Sequence, residues 1–158
     1  MAKNGSATPK FAYSFDEEAF YVAVETGDQT ANYQKGVWWS GEDDLLQIWM
    51  MPNGQDSTTV LNTEYGIRFY LHRTPSGWVK GGEAGSNKTD LTKFTFTEDN
   101  GSFLIKMPWT ALGIRPPQHE DGTAIGIVLQ YIDGQDLTWA ASEGTKGPSV
   151  PARALYSF

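Results

Sequence analysis

The sequence predicts a single all-β domain, an antiparallel β-sandwich of the jelly-roll or Greek-key kind. Short runs in which apolar and polar residues alternate recur along the 158 residues, with turn-forming residues between them. The 17 glycines, 8 prolines and 13% aromatic residues are typical of a β protein with many turns. No stretch keeps a helical period over several turns. One layered β domain is therefore the expectation.

The domain boundaries follow from composition. Residues 1–10 are rich in Gly, Ser, Thr, Pro and Lys, and we expect a flexible N-terminal tail or linker. Residues 11–158 form the predicted sandwich domain, with no internal repeat. Its 39% hydrophobic residues are enough for one core.

The first half of the chain contains five predicted strands, with polar or Gly/Pro-rich segments between them. In the second strand Phe20, Val22 and Val24 supply the core face. In the fourth strand Ile67, Phe69 and Leu71 point inward, and the residues between them point outward. The five strands are Lys10–Phe15, Ala19–Glu25, Leu45–Met51, Tyr65–His72 and Trp78–Lys80.

The second half continues in the same way. After a predicted loop at residues 81–90, the dipeptide Asn100-Gly101 marks a hairpin between two strands. Residues 110–112 form one helical turn that Gly113 ends. Residues 124–132 are almost continuously apolar, as in a central strand covered on both faces. The predicted strands are Thr92–Thr97, Ser102–Trp109, Ala124–Ile132, Leu137–Ala141 and Arg153–Phe158.

Charge and residue types exclude several classes of function. The net charge of −7 disfavours nucleic acid, which needs clustered Lys and Arg. No apolar run approaches the roughly 20 residues of a membrane span. With no cysteine, thiolate metal sites and cysteine nucleophiles are excluded. Two histidines and no G-x-S-x-G segment make catalysis unexpected, and no spacing singles out a carboxylate pair. We expect a protein that is not an enzyme.

Three polar side chains stand out of phase with the apolar residues of their strands. They are Gln47, Arg68 and Gln130, each long and rich in hydrogen-bonding groups. Each alone is more often a strand residue that faces water or a second layer of protein. Trp49, Tyr70 and His72 share these faces, and Trp38 and Trp39 precede the first strand. Planar amide and guanidinium groups beside aromatic rings are what sugars bind.

Four segments of the chain are similar to the sequence motifs of a known family and occur in the same order. They read FYVAVETGD at Phe20–Asp28, WSGEDDLLQIW at Trp39–Trp49, FLIKMPWTAL at Phe103–Leu112 and GIVLQYID at Gly126–Asp133. On these segments the chain resembles family 9 carbohydrate-binding modules, from about Phe11 to Phe158. The resemblance implies a β-sandwich that binds sugar chain ends, is commonly stabilised by calcium, and belongs to a larger secreted, glycoside-active protein. It implies an extracellular location.

The resemblance also assigns roles to residues. Gln47 takes the place of the family's glutamate, Arg68 that of its arginine and Gln130 that of its glutamine. Trp38 or Trp39 would stack on the sugar, and we favour Trp39, which is nearer the acidic turn. The family's second stacking tryptophan has no counterpart in residues 142–152, so we expect an open, one-sided platform. The expected carbohydrate-binding residues are Trp38, Trp39, Gln47, Trp49, Arg68, Tyr70, His72, Trp78 as a substitute ring, and Gln130.

Calcium and two alternative functions complete the expectations. Asp28, Asp43, Asp44 and Asp133 lie in predicted turns and would supply oxygen ligands to a structural calcium ion, although solvated turn acids are commoner. Some related sandwich domains bind haem b, and the candidate axial ligands here are Met50, Met51, His72 and Lys106. The other alternative is a structural or protein-interaction sandwich with no affinity for sugar.

Overall fold

A computed structural model of the protein describes residues 9–28, 30–33, 43–51, 66–85, 88–116, 125–134, 136–141 and 153–154. Residues 136–141 and 153–154 are described by their backbone alone. None of the helices in these ranges has the length and apolar character needed to cross a membrane.

The described chain forms ten strands in two antiparallel sheets. One sheet has four strands in the order β1-β2-β7-β6. The other has six, in the order β10-β8-β3-β4-β5, with β9 also paired to β8. The strands are β1 Lys10–Phe15, β2 Ala19–Glu25, β3 Leu45–Met51, β4 Ile67–Thr74, β5 Gly77–Ala84, β6 Thr95–Asp99, β7 Ser102–Pro108, β8 Ile125–Asp133, β9 Asp136–Ala141 and β10 Arg153–Ala154. The predicted all-β sandwich is confirmed.

The core lies between the two sheets and is built from alternate residues of their inner faces. Phe20, Val22 and Val24 of β2 belong to the same buried cluster as Phe69 and Leu71 of β4, as the alternation predicts. The short helix α1 (Trp109–Leu112) closes this core below β7. Trp109 is buried there, and its Nε1 donates to the backbone oxygen of Asp16 at 2.8 Å.

Two predicted turns form as expected. Asn100 and Gly101 both have positive φ, 49° and 78°, which lets the β6–β7 hairpin close with the right-handed twist of its strands. Gly113 ends α1 in the left-handed conformation at φ 74°, and its N–H bonds the carbonyl of Trp109.

Two predicted segments differ from the structure by three or more residues at one boundary. The strand expected at Thr92–Thr97 begins at Thr95, because the Asp90 carboxylate accepts from the N–H of Thr92 and holds Leu91–Lys93 in a 3-10 helix. The loop expected from residue 81 onward is instead strand, because β5 stays paired to β4 as far as Ala84. Glycines in sequence favour a loop, but those of β5 let neighbouring groups approach the strand closely.

The outer face of the six-stranded sheet is also buried over its central strands. All seven residues of β3 are buried, and so are Ile125–Ile132 of β8. Leu45, Trp49 and Val128 are buried on this outer face without belonging to the inter-sheet core. The prediction that residues 124–132 are covered on both faces is therefore confirmed for the described strand.

Candidate functional site

The three out-of-phase polar residues meet on the outer face of the six-stranded sheet. Gln47 of β3 stands directly opposite Gln130 of β8. On β4, Arg68 lies opposite Trp49, which is two residues along β3 from Gln47. Gln47 Nε2 donates to Gln130 Oε1 at 2.7 Å. Arg68 donates to Gln47 Oε1 from Nε at 3.0 Å and from the terminal nitrogen Nη2 at 2.7 Å. We call Gln47, Arg68 and Gln130 the polar triad.

The triad is buried. Gln47 and Gln130 are each 5% exposed and Arg68 is 9% exposed. Buried polar side chains are costly unless they are hydrogen-bonded, and these three bond one another. The network consequently fixes its side chains in one arrangement on a rigid part of the sheet.

Aromatic rings flank the guanidinium group. The Cζ of Arg68 lies 5.9 Å from the ring centre of Trp49 and 5.7 Å from that of Tyr70. Both distances fall within the range of cation–π attraction. The Tyr70 ring in turn lies 6.2 Å from the imidazole of His72. The structure therefore brings Trp49, Tyr70 and His72 next to the triad, as the alternation predicts.

This face opens towards β5. Trp49 is only 5% exposed, but Tyr70 and His72 on β4 are partly exposed, and on β5 Val79 is 43% exposed and Glu83 is exposed. A Cβ at Gly81 would collide with the ring of Tyr70, so the absence of a side chain lets the ring lie over β5. Among the described residues, Tyr70 therefore provides a partly accessible aromatic ring beside the triad.

Burial sets the electrostatics of this face. Burial lowers the pKa of the Arg68 guanidinium, and the nearby Glu83 carboxylate opposes that shift. Arginine stays charged at neutral pH despite such shifts. Burial also lowers the pKa of His72, against the opposing charge of Asp43, and favours the neutral imidazole. His72 Nδ1 is buried and has no hydrogen-bond partner among the described residues.

Trp78 does not join this group. It pairs in register with Arg73, on the inner face of the sheet, and its ring meets Phe103 edge-on at 4.8 Å between centres. Its Nε1 and Arg73 Nε are buried without partners in the described part of the chain, and both residues line a cavity of about 550 Å³ on that side. The predicted strand had only three residues, too few for their alternation to show on which face of the sheet Trp78 lies. Trp38 and Trp39 lie outside the described residues.

Three of the four expected metal ligands converge at one end of the sheet. Oxygen atoms of Asp28, Asp44 and Asp133 all lie within 4.8 Å of one another. Asp44 immediately precedes β3 and Asp133 ends β8, on the same ladder that carries Gln47 and Gln130. Asp43 is buried but is not a member of this carboxylate cluster.

Neutral donors surround the carboxylate cluster. Asn32 donates from its side chain to Asp44 at 2.8 Å and to Asp133 at 3.1 Å. Thr30 bonds Asp28, and the Tyr131 hydroxyl donates to Asp28 Oδ2 at 2.7 Å. The sequence pattern did not single out these three neutral residues. Thr30 and Asn32 follow Asp28 at a spacing of two, and that alternation of oxygen-bearing side chains was the available signal.

The pKa shifts at the carboxylate cluster reflect burial and negative charges that lie close together. Burial, aided by the charge of Asp28, raises the pKa of Asp44 above its usual value. Burial also raises the pKa of the Tyr131 hydroxyl, as do its bond to Asp28 and the charge of Asp44. Carboxylate oxygens are the ligands calcium prefers, and a cation would relieve this repulsion. The donor set therefore fits a calcium ion.

The haem alternative receives no support from geometry. Met50 faces the inter-sheet core, whereas His72 lies on the opposite face of the same sheet. Met51 is six positions along β3 from Leu45, the residue opposite His72, or about 20 Å. Lys106 lies in the other sheet and pairs with Glu18 at 2.9 Å. No two of these four side chains face a common haem plane.

Comparison with known proteins shows the fold. No protein-family model and no curated protein sequence matches the chain. Two solved structures of a family 9 carbohydrate-binding module from Caldicellulosiruptor kristjanssonii do match. The complex with cellotriose gives a TM-score of 0.65 and the complex with glucose gives 0.67, each at 14% identity over 96% of this chain. The matches cover 76% and 75% of those chains. This chain therefore has the β-sandwich fold of family 9 carbohydrate-binding modules, as its sequence blocks predicted.

Proposed function

We propose that this domain is a non-catalytic carbohydrate-binding module whose site is the polar triad and the rings beside it. The observation that carries the proposal is the hydrogen-bonded set Gln47, Arg68 and Gln130, gathered from three strands next to Tyr70. The fold match supports it, since the matching structures are modules solved with cellotriose and with glucose.

The chemistry follows from the groups present. Planar amide and guanidinium groups held in place by hydrogen bonds give directional hydrogen bonds to adjacent hydroxyl or ring oxygens of a sugar. An aromatic ring beside them packs against the C–H face of the pyranose. Tyr70 supplies that ring at the open edge of the face, and we propose Trp39, or its neighbour Trp38, as a second aromatic contact.

We also propose that the carboxylate cluster binds a structural calcium ion. Asp28, Asp44 and Asp133 provide three hard oxygen ligands from separate parts of the chain, and an ion there would tie the loop after β2 to the ends of β3 and β8. Because β3 and β8 carry Gln47 and Gln130, the ion would stabilise the sheet that holds the triad.

We propose further that the domain acts outside the cell as one part of a larger glycoside-active protein. The absence of cysteine is compatible with this location, because many secreted bacterial domains lack disulfides. Detection of the chain in the culture medium of its natural host, on a polypeptide longer than 158 residues, would agree with the proposal. Detection only in the cytoplasm would contradict it.

The function is tested by binding. The purified protein should be titrated by calorimetry with a panel of plant and microbial oligosaccharides, including cellotriose. We expect binding that the Arg68→Ala variant loses and that Arg73→Ala keeps, because Arg73 lies on the inner face of the same strand. Circular dichroism should show that both variants fold. A folded protein that binds no member of the panel would leave a structural or protein-interaction sandwich as the better description.

A further inference from the structure

An exposed carboxylate borders the polar triad at the open edge of its face. Glu83 of β5 stands directly opposite Arg68 of β4. Residues that stand opposite each other in an antiparallel pair point to the same face of the sheet, with their Cβ atoms about 5 Å apart. Glu83 is exposed, whereas Arg68 is 9% exposed. The carboxylate therefore lies where the buried triad meets water.

Strand β5 also places this carboxylate beside the accessible aromatic ring. Tyr70 stands opposite Gly81, and a Cβ at Gly81 would collide with the Tyr70 ring, so the ring lies over β5 at that position. Gly81 and Glu83 are two residues apart along β5, about 7 Å, and point to the same face. Val79, which is 43% exposed, has the corresponding position on the other side of Gly81. The ring is thus flanked by a carboxylate on one side and by an apolar side chain on the other.

The charge of Glu83 acts on the triad, but no described residue engages its oxygen atoms. The negative charge of Glu83 opposes the effect of burial, which lowers the pKa of Arg68. Among the described residues, no hydrogen bond or ion pair involves the Glu83 carboxylate. An opposite charge across a strand pair adds little to stability when one partner is exposed. The acceptor atoms of Glu83 are therefore available to a ligand that contacts Tyr70.

Sugar hydroxyls need acceptors as well as donors. Each hydroxyl has one proton to donate and two lone pairs that accept. The amide oxygens of the triad already accept within it, Gln47 Oε1 from Arg68 and Gln130 Oε1 from Gln47. A carboxylate has two oxygen atoms with room for several donors, and its hydrogen bonds are about twice as strong as those of a neutral acceptor. Glu83 would therefore supply a strong acceptor beside the triad.

We propose that Glu83 is a specificity-determining residue of the sugar site, and that its carboxylate accepts hydrogen bonds from hydroxyls of the sugar that packs against Tyr70. The inference rests on the proposed carbohydrate function and adds a ligand contact outside the polar triad. Two neighbouring hydroxyls of a pyranose can donate to the two oxygens of one carboxylate. A sugar that lacks one of these hydroxyls is bound less tightly, because the carboxylate then loses water without gaining a hydrogen bond.

The first test removes the charge and keeps the size of the side chain. Calorimetry compares wild type with Glu83→Gln, using cellotriose or whichever oligosaccharide of the panel binds more tightly. We expect the variant to bind about tenfold more weakly, since a hydrogen bond to an ionised acceptor is replaced by one to a neutral amide. Glu17→Gln is the matched control, because Glu17 is also exposed but lies in the β1–β2 turn of the other sheet. This control should bind as wild type does.

The second test asks whether the carboxylate contacts the sugar or acts only through Arg68. Analogues of the same oligosaccharide, each lacking a single hydroxyl, are titrated into wild type and into Glu83→Gln. We expect at least one analogue to narrow the difference between the two proteins to about threefold or less, because the hydroxyl that Glu83 contacts is missing. The other analogues should keep the full difference. A full difference that persists for every analogue would overturn the inference.

The outcomes separate this inference from the function itself. Binding of the oligosaccharide by Glu83→Gln with wild-type affinity would overturn the role of Glu83 and leave the carbohydrate function standing. A wild-type protein that binds no sugar of the panel would remove the function together with the inference. Thermal melts verify that both variants are folded, and we expect them to lie close to that of wild type because both side chains are exposed.

Discussion

Gln47 and Gln130 stand opposite each other on β3 and β8, and the side-chain N–H of Gln47 donates to the side-chain oxygen of Gln130 at 2.7 Å. Both side chains are buried, although they lie on the outer face of the sheet. In a sheet with one solvated face, residues at such positions would face water. The contact links Gln130 to Arg68 through Gln47, so the position of one polar group on this face fixes the other two.

The pair should contribute to stability in a definite order. In Gln130→Leu the buried amide of Gln47 loses its acceptor, and we expect a loss of about 1–3 kcal/mol. In Gln47→Leu the charged Arg68 loses two hydrogen bonds and Gln130 loses one, so the loss should be larger. Urea unfolding of both variants measures the order. A larger loss in Gln130→Leu would show that the network is not arranged as described.

Two adjacent glycines of β5 should separate binding from stability. At Gly81 a Cβ would meet the Tyr70 ring, a side chain able to move, so Gly81→Ala should displace the ring and weaken sugar binding several-fold with a small loss of stability. At Gly82 a Cβ would meet the backbone oxygen of Arg68. We expect Gly82→Ala to lower the melting temperature more than Gly81→Ala does. The reverse order in thermal melts would contradict this placement of Tyr70.

Calcium should stabilise the protein through the carboxylate cluster. A ligand that binds only the folded state at about 100 times its Kd adds roughly 2.7 kcal/mol. We expect calcium to raise the melting temperature, EDTA to reverse the rise, and Asp133→Asn to reduce it. Asp99→Asn is the matched control, since Asp99 lies in the β6–β7 hairpin outside the cluster. An equal calcium response in wild type and Asp133→Asn would contradict the assignment.

Acidification should destabilise the fold through His72. Its pKa in the folded protein is lower than the usual value of 6.5, so the unfolded chain binds the proton more readily. The stability that the neutral imidazole contributes is present above pH 6.5 and is lost as the pH falls through the lowered pKa. Comparing urea unfolding of wild type and His72→Gln between about pH 7.5 and pH 5 isolates this contribution. A wild-type protein that gained stability relative to His72→Gln on acidification would have the opposite pKa shift.

The alternation of apolar and polar residues within strands correctly predicted which side chains share a face of the sheet. Gln47, Arg68 and Gln130 stand out because each breaks its strand's apolar period, and antiparallel pairing then places them together. The structure places Trp78 apart from the polar triad, because the register of β5, which follows from the turn at Thr74–Gly77, puts Trp78 opposite Arg73 on the inner face. The pairing register of β5 cannot be predicted from the three residues of the predicted strand.

Convergence from loops was predictable only in part. Asp28, Asp44 and Asp133 are recognisable as turn acids, but their approach to within 4.8 Å depends on how the β3–β8 ladder meets the segment after β2. Asp43 directly precedes Asp44 but lies in a bend before β3, and it is not part of the cluster. Asp90 was missed as a cap because a 3-10 turn held by one carboxylate leaves no periodic signal.

The central claim is that sugar is bound by the polar triad. The side-chain NH2 resonances of Gln47 and Gln130 report on it directly during titration with the tightest-binding oligosaccharide of the panel. We predict that both pairs of resonances shift with the calorimetric Kd, whereas those of Asn100, in the β6–β7 hairpin of the other sheet, stay in place. Saturable binding of sugar that leaves Gln47 and Gln130 unshifted would place the site elsewhere and contradict the account.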